Sequence, residues 1–187
     1  MNPTQPDWQF KDILLVYSSK GLSILEKTAQ VAEANRARLT IIDIAEDFVN
    51  HMGLLPPTIS EEDAKESIES ERRSIIEEQA GLLGIDRNSF EIRIRFGTPV
   101  VEIIREVVKS GHDLVVKTAA GGTGLTERLF GSTGMQLLRK NPCPVWIAKP
   151  QDTIGFKRIV AAIDPLPSSP QSDKLSHGIL QAASAMA

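Results

Sequence analysis

Cysteine is nearly absent from this sequence. Cys143 stands alone, so no disulfide can form within the chain, and a reducing, cytoplasmic setting is expected. No charge of either sign dominates: the formal net charge is −3, with acids and bases interspersed. Without a basic stripe to neutralise a phosphate backbone, nucleic acid is not an expected partner. No apolar run approaches the ~20 residues that span a bilayer, so no membrane association is expected. The first eleven residues lack an apolar core of the kind a secretory signal needs. His51, His112 and His177 are scattered and, with one cysteine available, supply no metal-ligand spacing. No metal is expected.

What is present is a hydrophobic fraction of 41% over 187 residues, enough for a packed core. At ~100–150 residues per domain, the length fits one domain and roughly forty residues more. The run Asp12 to Tyr17 is short and almost wholly apolar, the pattern of a strand buried on both faces. Leu22, Leu25, Ala29 and Ala32 follow at helical spacing. A second buried strand is predicted over 39–44, then a loop or partial helix over 45–59, where Gly53, Pro56 and Pro57 break any period.

Ser60 opens a helix, with Asp63 three positions on and Glu61 and Glu62 at the positive end of the dipole. Its glutamate-rich face reads as the solvated side, and Gly84 stops it. Residues 91–96 alternate strictly, Ile92, Ile94 and Phe96 against Glu91, Arg93 and Arg95, which marks a half-exposed or edge strand. Thr98 is the predicted N-cap of a helix with Pro99 at its first position and Val100, Ile103, Ile104, Val107 and Val108 as its buried stripe. A fourth strand is predicted over 113–117, a helix over 132–140 and a fifth strand over Val145 to Ala148. Strands alternating with helices give a parallel sheet covered on both faces.

The pattern then restarts. Lys157 to Ile163 repeats the basic start and apolar run of Lys11 to Tyr17, and Leu180 to Ala185 echoes Ala29 to Ala34. The expected organisation is therefore a complete domain over 1–150, followed over 151–187 by the first strand and helix of a second, truncated copy.

In open parallel sheets ligands bind beyond the carboxyl ends of the strands. The loop after the fourth strand falls there and carries Gly121, Gly122 and Gly124, then Gly131-Ser132-Thr133 at a helix start. Glycines let backbone N–H groups approach a phosphate, and a helix N-terminus adds free donors. A merely flexible turn is the alternative. Neither a Walker pattern nor a Gly-x-Gly-x-x-Gly after the first strand is present. Lys117 could meet a phosphate, although a solvated lysine is the commoner arrangement at a strand end. Cys143, wedged between Pro142 and Pro144, reads as a structural thiol rather than a nucleophile. No catalytic set is suggested by position.

From Leu137-Leu138-Arg139-Lys140-Asn141-Pro142-Cys143-Pro144-Val145-Trp146, preceded by Phe130-Gly131-Ser132, the chain resembles the universal stress proteins over nearly all of 10–149. The resemblance implies a five-stranded parallel sheet in the order 3-2-1-4-5, a Rossmann-like fold. It also implies an adenine-nucleotide site, for ATP or a related nucleotide, at Ser18, Ile44, Thr118, Gly121, Gly131, Ser132 and Thr133. Nucleotide-binding members carry Gly-x2-Gly-x9-Gly-Ser/Thr after the fourth strand. Gly121 and Gly131 fit that spacing, but Thr118 stands at the first glycine and Ser18 at the adenine-side aspartate. The Lys117-Thr118 pair is similar to the E-type tandem subgroup, and Asp164 restores the aspartate in the second copy.

The expected function is therefore a stress-response binding or regulatory protein with a degenerate nucleotide site. An ATP-binding member with slow or no hydrolysis is the alternative. An adenylating ligase would need a Ser-Gly-Gly-x-Asp-Ser-like loop, which Tyr17 to Gly21 does not supply. A homodimer through the last strand (Val145, Trp146, Ile147, Ala148) is expected, or intramolecular pairing of that strand with a second domain.

Overall fold

The computed structural model of the chain describes residues 9–46, 60–119, 131–149, 158–163, 166 and 169–185. β1 (Asp12–Val16) is followed by α1 (Leu22–Asn35), β2 (Arg38–Ala45) and α2 (Glu61–Leu82). Then come β3 (Phe90–Phe96), α3 (Pro99–Ser110), β4 (Leu114–Thr118), α4 (Gly131–Lys140) and β5 (Val145–Ala148). A last helix, α5, covers Pro170–Ala185. The strands form one parallel sheet in the order β3-β2-β1-β4-β5, as the resemblance implied.

Each apolar strand run is explained by burial on both sides. Ile13 and Leu15 point into one core with Ile24 and Leu25 of α1 and Ile76 of α2. Leu14, between them, points into a second core with Ile103 and Val107 of α3 and Leu137 of α4. Ile13 and Leu14 are both 0% exposed, and each such side chain contributes about 1.5–3 kcal/mol of burial. β3 lies at the sheet edge, which accounts for its alternation: Phe90, Ile92 and Ile94 are buried, Glu91 and Arg93 exposed.

The Ser60 cap forms as expected. Its Oγ accepts the Asp63 N–H at 3.0 Å, satisfying one free end group, and its hydroxyl donates to the Asp63 carboxylate at 2.6 Å. Thr98 takes extended N-cap geometry but its side chain makes no capping bond. Its carbonyl instead accepts the Glu102 N–H.

Two expectations need correction. Val108 is not part of the buried stripe: it is 69% exposed, because Val100, Ile103 and Val107 already fill the face turned to the sheet. The segment over 158–163, predicted as a strand, forms none, and Val160 is 93% exposed. A strand requires a neighbour for its backbone groups, and this one has no partner strand among the described residues. The helix that follows does form, and its Ala182 packs, like Trp146 of β5, against the first core.

Candidate functional site

With α1 and α2 on one face and α3 and α4 on the other, the order in which the parallel strands are added reverses between β1 and β4. The carboxyl ends of these two strands form a crevice by topology alone. Val16 is paired with Lys117, so the turn Tyr17–Gly21 leaves the sheet beside Thr118, the last residue of β4.

The turn after β1 is tight. Gly21 donates its N–H to the Ser18 carbonyl at 2.8 Å, while its own carbonyl accepts the N–H groups of Ile24 and Leu25 and so starts α1. Thr118 leans into this turn. A Cβ placed on Gly21 would fall 2.5 Å from the Thr118 Oγ1 and 3.5 Å from its Cβ. Only glycine fits there, and Thr118, 8% exposed, fills the space. Where the family pattern asks for glycine at 118, this chain has spent the room on a side chain. Lys117, half-buried, folds its Nζ back onto the Thr118 carbonyl at 3.0 Å. Burial lowers its pKa from the ordinary lysine value.

Toward the end of β2, Asp43 is buried among the apolar side chains Ile41, Ile42, Ile44 and Ala45 of the same strand. Its Oδ2 receives Nη1 of Arg72 from α2 at 2.8 Å, and its Oδ1 accepts the Ile44 N–H at 2.9 Å. The backbone donor of Ile44 is thus already engaged within the chain. Tyr17 donates its hydroxyl to Gln79 of α2 at 2.7 Å. Burial raises the tyrosine's pKa, and the nearby Asp43 charge adds to this. Tyr17, Ser18, Asp43 and Arg72, with Glu71 and Ile75, border a cavity of about 450 Å³.

Gly131, Ser132 and Thr133 form the first turn of α4. Gly131 has φ +61°, a left-handed conformation that favours glycine. Ser132 is exposed and Thr133 half-buried. Gly121 lies outside the described residues. Ser18, Ile44 and Thr118 therefore lie at the carboxyl ends of the three inner strands.

The sequence reading missed Asp43, Arg72 and Gln79. An aspartate inside the run Leu39 to Ala45 was the available signal, since a buried carboxylate needs a partner. Finding that partner 29 positions away required the fold.

Elsewhere, Cys143 is partly buried, and its Sγ accepts Nδ2 of Asn141 at 3.2 Å. Burial raises the thiol's pKa, which fits a structural role. Among the described residues no three acidic, histidine or cysteine side chains gather as metal ligands, and no helix is long and apolar enough to cross a membrane.

A sequence profile of the universal stress protein family matches residues 9–149. The chain belongs to the universal stress protein family. Universal stress protein E of Escherichia coli K12 is 30% identical over 118 residues, 63% of this chain and 37% of that protein, in line with the E-type resemblance. The chain spans less than half the length of such curated relatives. Among solved structures, universal stress protein UspA of Lactobacillus plantarum superposes with a TM-score of 0.57 at 20% identity, covering 75% of this chain and 99% of its own. A universal stress protein in complex with cAMP gives 0.55 at 20% identity, covering 77% and 100%. These neighbours share the fold.

Proposed function

We propose that this universal stress domain acts by binding and association rather than by catalysis, with an adenine-nucleotide site that has degenerated. One observation carries the reading: the Thr118 side chain is buried against Gly21, where the family's pattern keeps a bare backbone for the ligand. The substitution of Ser18 for a carboxylate and the engaged N–H of Ile44 point the same way. In this reading Gly121, Gly131, Ser132 and Thr133 are the remnant of a phosphate cradle.

Calorimetric titration with ATP and with cAMP tests it. No saturable binding is expected below about 1 mM. Tight binding, or nucleotide co-purifying at one per chain, would overturn it. A second reading, in which the domain holds ATP with slow or no hydrolysis, draws on the cavity beside Ser18. In that case the same titration would saturate.

Residues 151–187 belong, in this proposal, to the start of a second such domain. The family match ends at 149 and the aligned part covers only 37% of the curated relative from Escherichia coli K12, which supports this division. β5 pairs only with β4 among the described strands, so a second copy would extend the sheet through Val145 to Ala148, or a second domain would do so in a longer chain. A cytoplasmic location suits the lone thiol. A monomer by light scattering would count against the homodimer.

A further inference from the structure

α3 carries more apolar surface than the sheet uses. Beside the stripe Val100, Ile103 and Val107, which enters the core, a second stripe of Val101, Ile104 and Val108 recurs at i, i+3 and i+7. Val101 is 49% and Val108 69% exposed. This second stripe floors a groove of about 560 Å³ between α3 and α4, with Gln136 and Lys140 on its far side. Isolated apolar residues on a surface need no account, but a contiguous stripe in a concave site marks a contact.

The rim is basic. Arg105 pairs with Glu102. Lys109 and Lys140 have no carboxylate partner among the described residues. Their places in the last turns suit the helix dipoles, yet this does not explain the valines beside them.

We propose that the groove between α3 and α4 docks an acidic amphipathic helix of a partner protein. The helix would insert apolar side chains spaced by one and two turns between Val101, Ile104 and Val108. Its carboxylates would meet Lys109, Lys140 and Arg105. The charge on the rim selects the sign of the partner, and the concave floor selects a rod over a flat membrane surface. A second copy's α2 is less suited: exposed Ile75 and Leu82 are two turns apart, but Glu78 and Gln79 stand between them, so no apolar side chain would meet Ile104. The proposal rests on the reading that the domain works by association, and it uses a surface separate from Ser18 and Thr118.

The test is fluorescence anisotropy with a labelled synthetic helix of roughly 15 residues, leucines at i, i+3 and i+7 and glutamates flanking them. Saturable binding is expected. It should weaken about tenfold in Lys109→Glu with Lys140→Glu and be lost in Val108→Asp, while circular dichroism and the ATP titration stay as in the parent chain. Equal binding of a scrambled peptide of the same composition, or no binding of the acidic helix, would overturn the proposal. So would self-association by sedimentation that Val108→Asp abolishes, or capture by anionic vesicles in place of the peptide. The ATP titration judges the nucleotide reading independently.

Discussion

Thr118 and Gly21 are in such close contact that the glycine cannot gain a methyl group. The Oγ1 of Thr118 lies 2.5 Å from the point where that carbon would sit. Gly21→Ala is therefore expected to destabilise the domain by about 1–3 kcal/mol through overpacking, read as a shift of the urea midpoint. Thr118→Gly should relieve the clash, so the two changes together should cost less than their sum. Additive costs would mean the contact is not the cause. Joined to Ser18→Asp, Thr118→Gly should also raise ATP affinity in calorimetry. No gain would show that the loop is closed by something other than these two residues.

Arg72 holds the buried Asp43 carboxylate from α2, 2.8 Å away. Arg72→Ala leaves that carboxylate with only the Ile44 N–H, and a loss of about 1–3 kcal/mol is expected. Pairing it with Asp43→Asn should recover part of the loss, because the stranded charge is then gone. The comparison is a double-mutant cycle in urea.

Glu106 is a second buried acid, its side chain 2% exposed. Burial pushes its pKa up, but hydrogen bonds from Ser110 and Arg95, both at 2.8 Å, outweigh this and hold it below the ordinary value. Arg95→Met should cost about 3 kcal/mol, since it removes one partner and leaves the charge in place. Thermal unfolding at neutral pH reads this. A shift no larger than that of an exposed-arginine control such as Arg93→Met would overturn it.

His112 is 6% exposed, and neither ring nitrogen has a partner among the described residues. Burial lowers its pKa, and Arg38 adds to this, against the opposing pull of Glu106, Asp12 and Asp113. The fold therefore favours the neutral ring. Its contribution to stability is complete above the unfolded value of about 6.5 and is lost as pH falls from there toward the lower folded-state value. The urea midpoint should drop on acidification through that window, and the drop should shrink in His112→Leu. An equal drop in the variant would assign it to the carboxylates instead.

Much of the fold was legible because its signals are local. The alternation of β3 repeats every second residue, and the Ser60–Asp63 cap spans three, so each can be read without knowing what packs nearby. The stripe of α3 was legible in period but not in width: leaving Val108 out would have required knowing how far the packed face extends around the helix. The strand expected over 158–163 had the right composition, but composition does not supply a neighbouring strand. At the site, the glycine count pointed to Thr118 and Gly131, which the fold puts at the end of β4 and at the start of α4. The Asp43–Arg72 pair joins two elements whose approach is decided by the sheet order, and no spacing rule connects positions 43 and 72.

The placement of Ala182 and Trp146 on one apolar cluster carries a further consequence. The tail helix leans on the same side of the sheet as the indole of the outermost strand. An assembly built by extending that strand must accommodate the tail or push it aside. With Trp8 replaced by phenylalanine, emission from Trp146 thus becomes a built-in gauge of whether the tail is seated, legible without any attached probe.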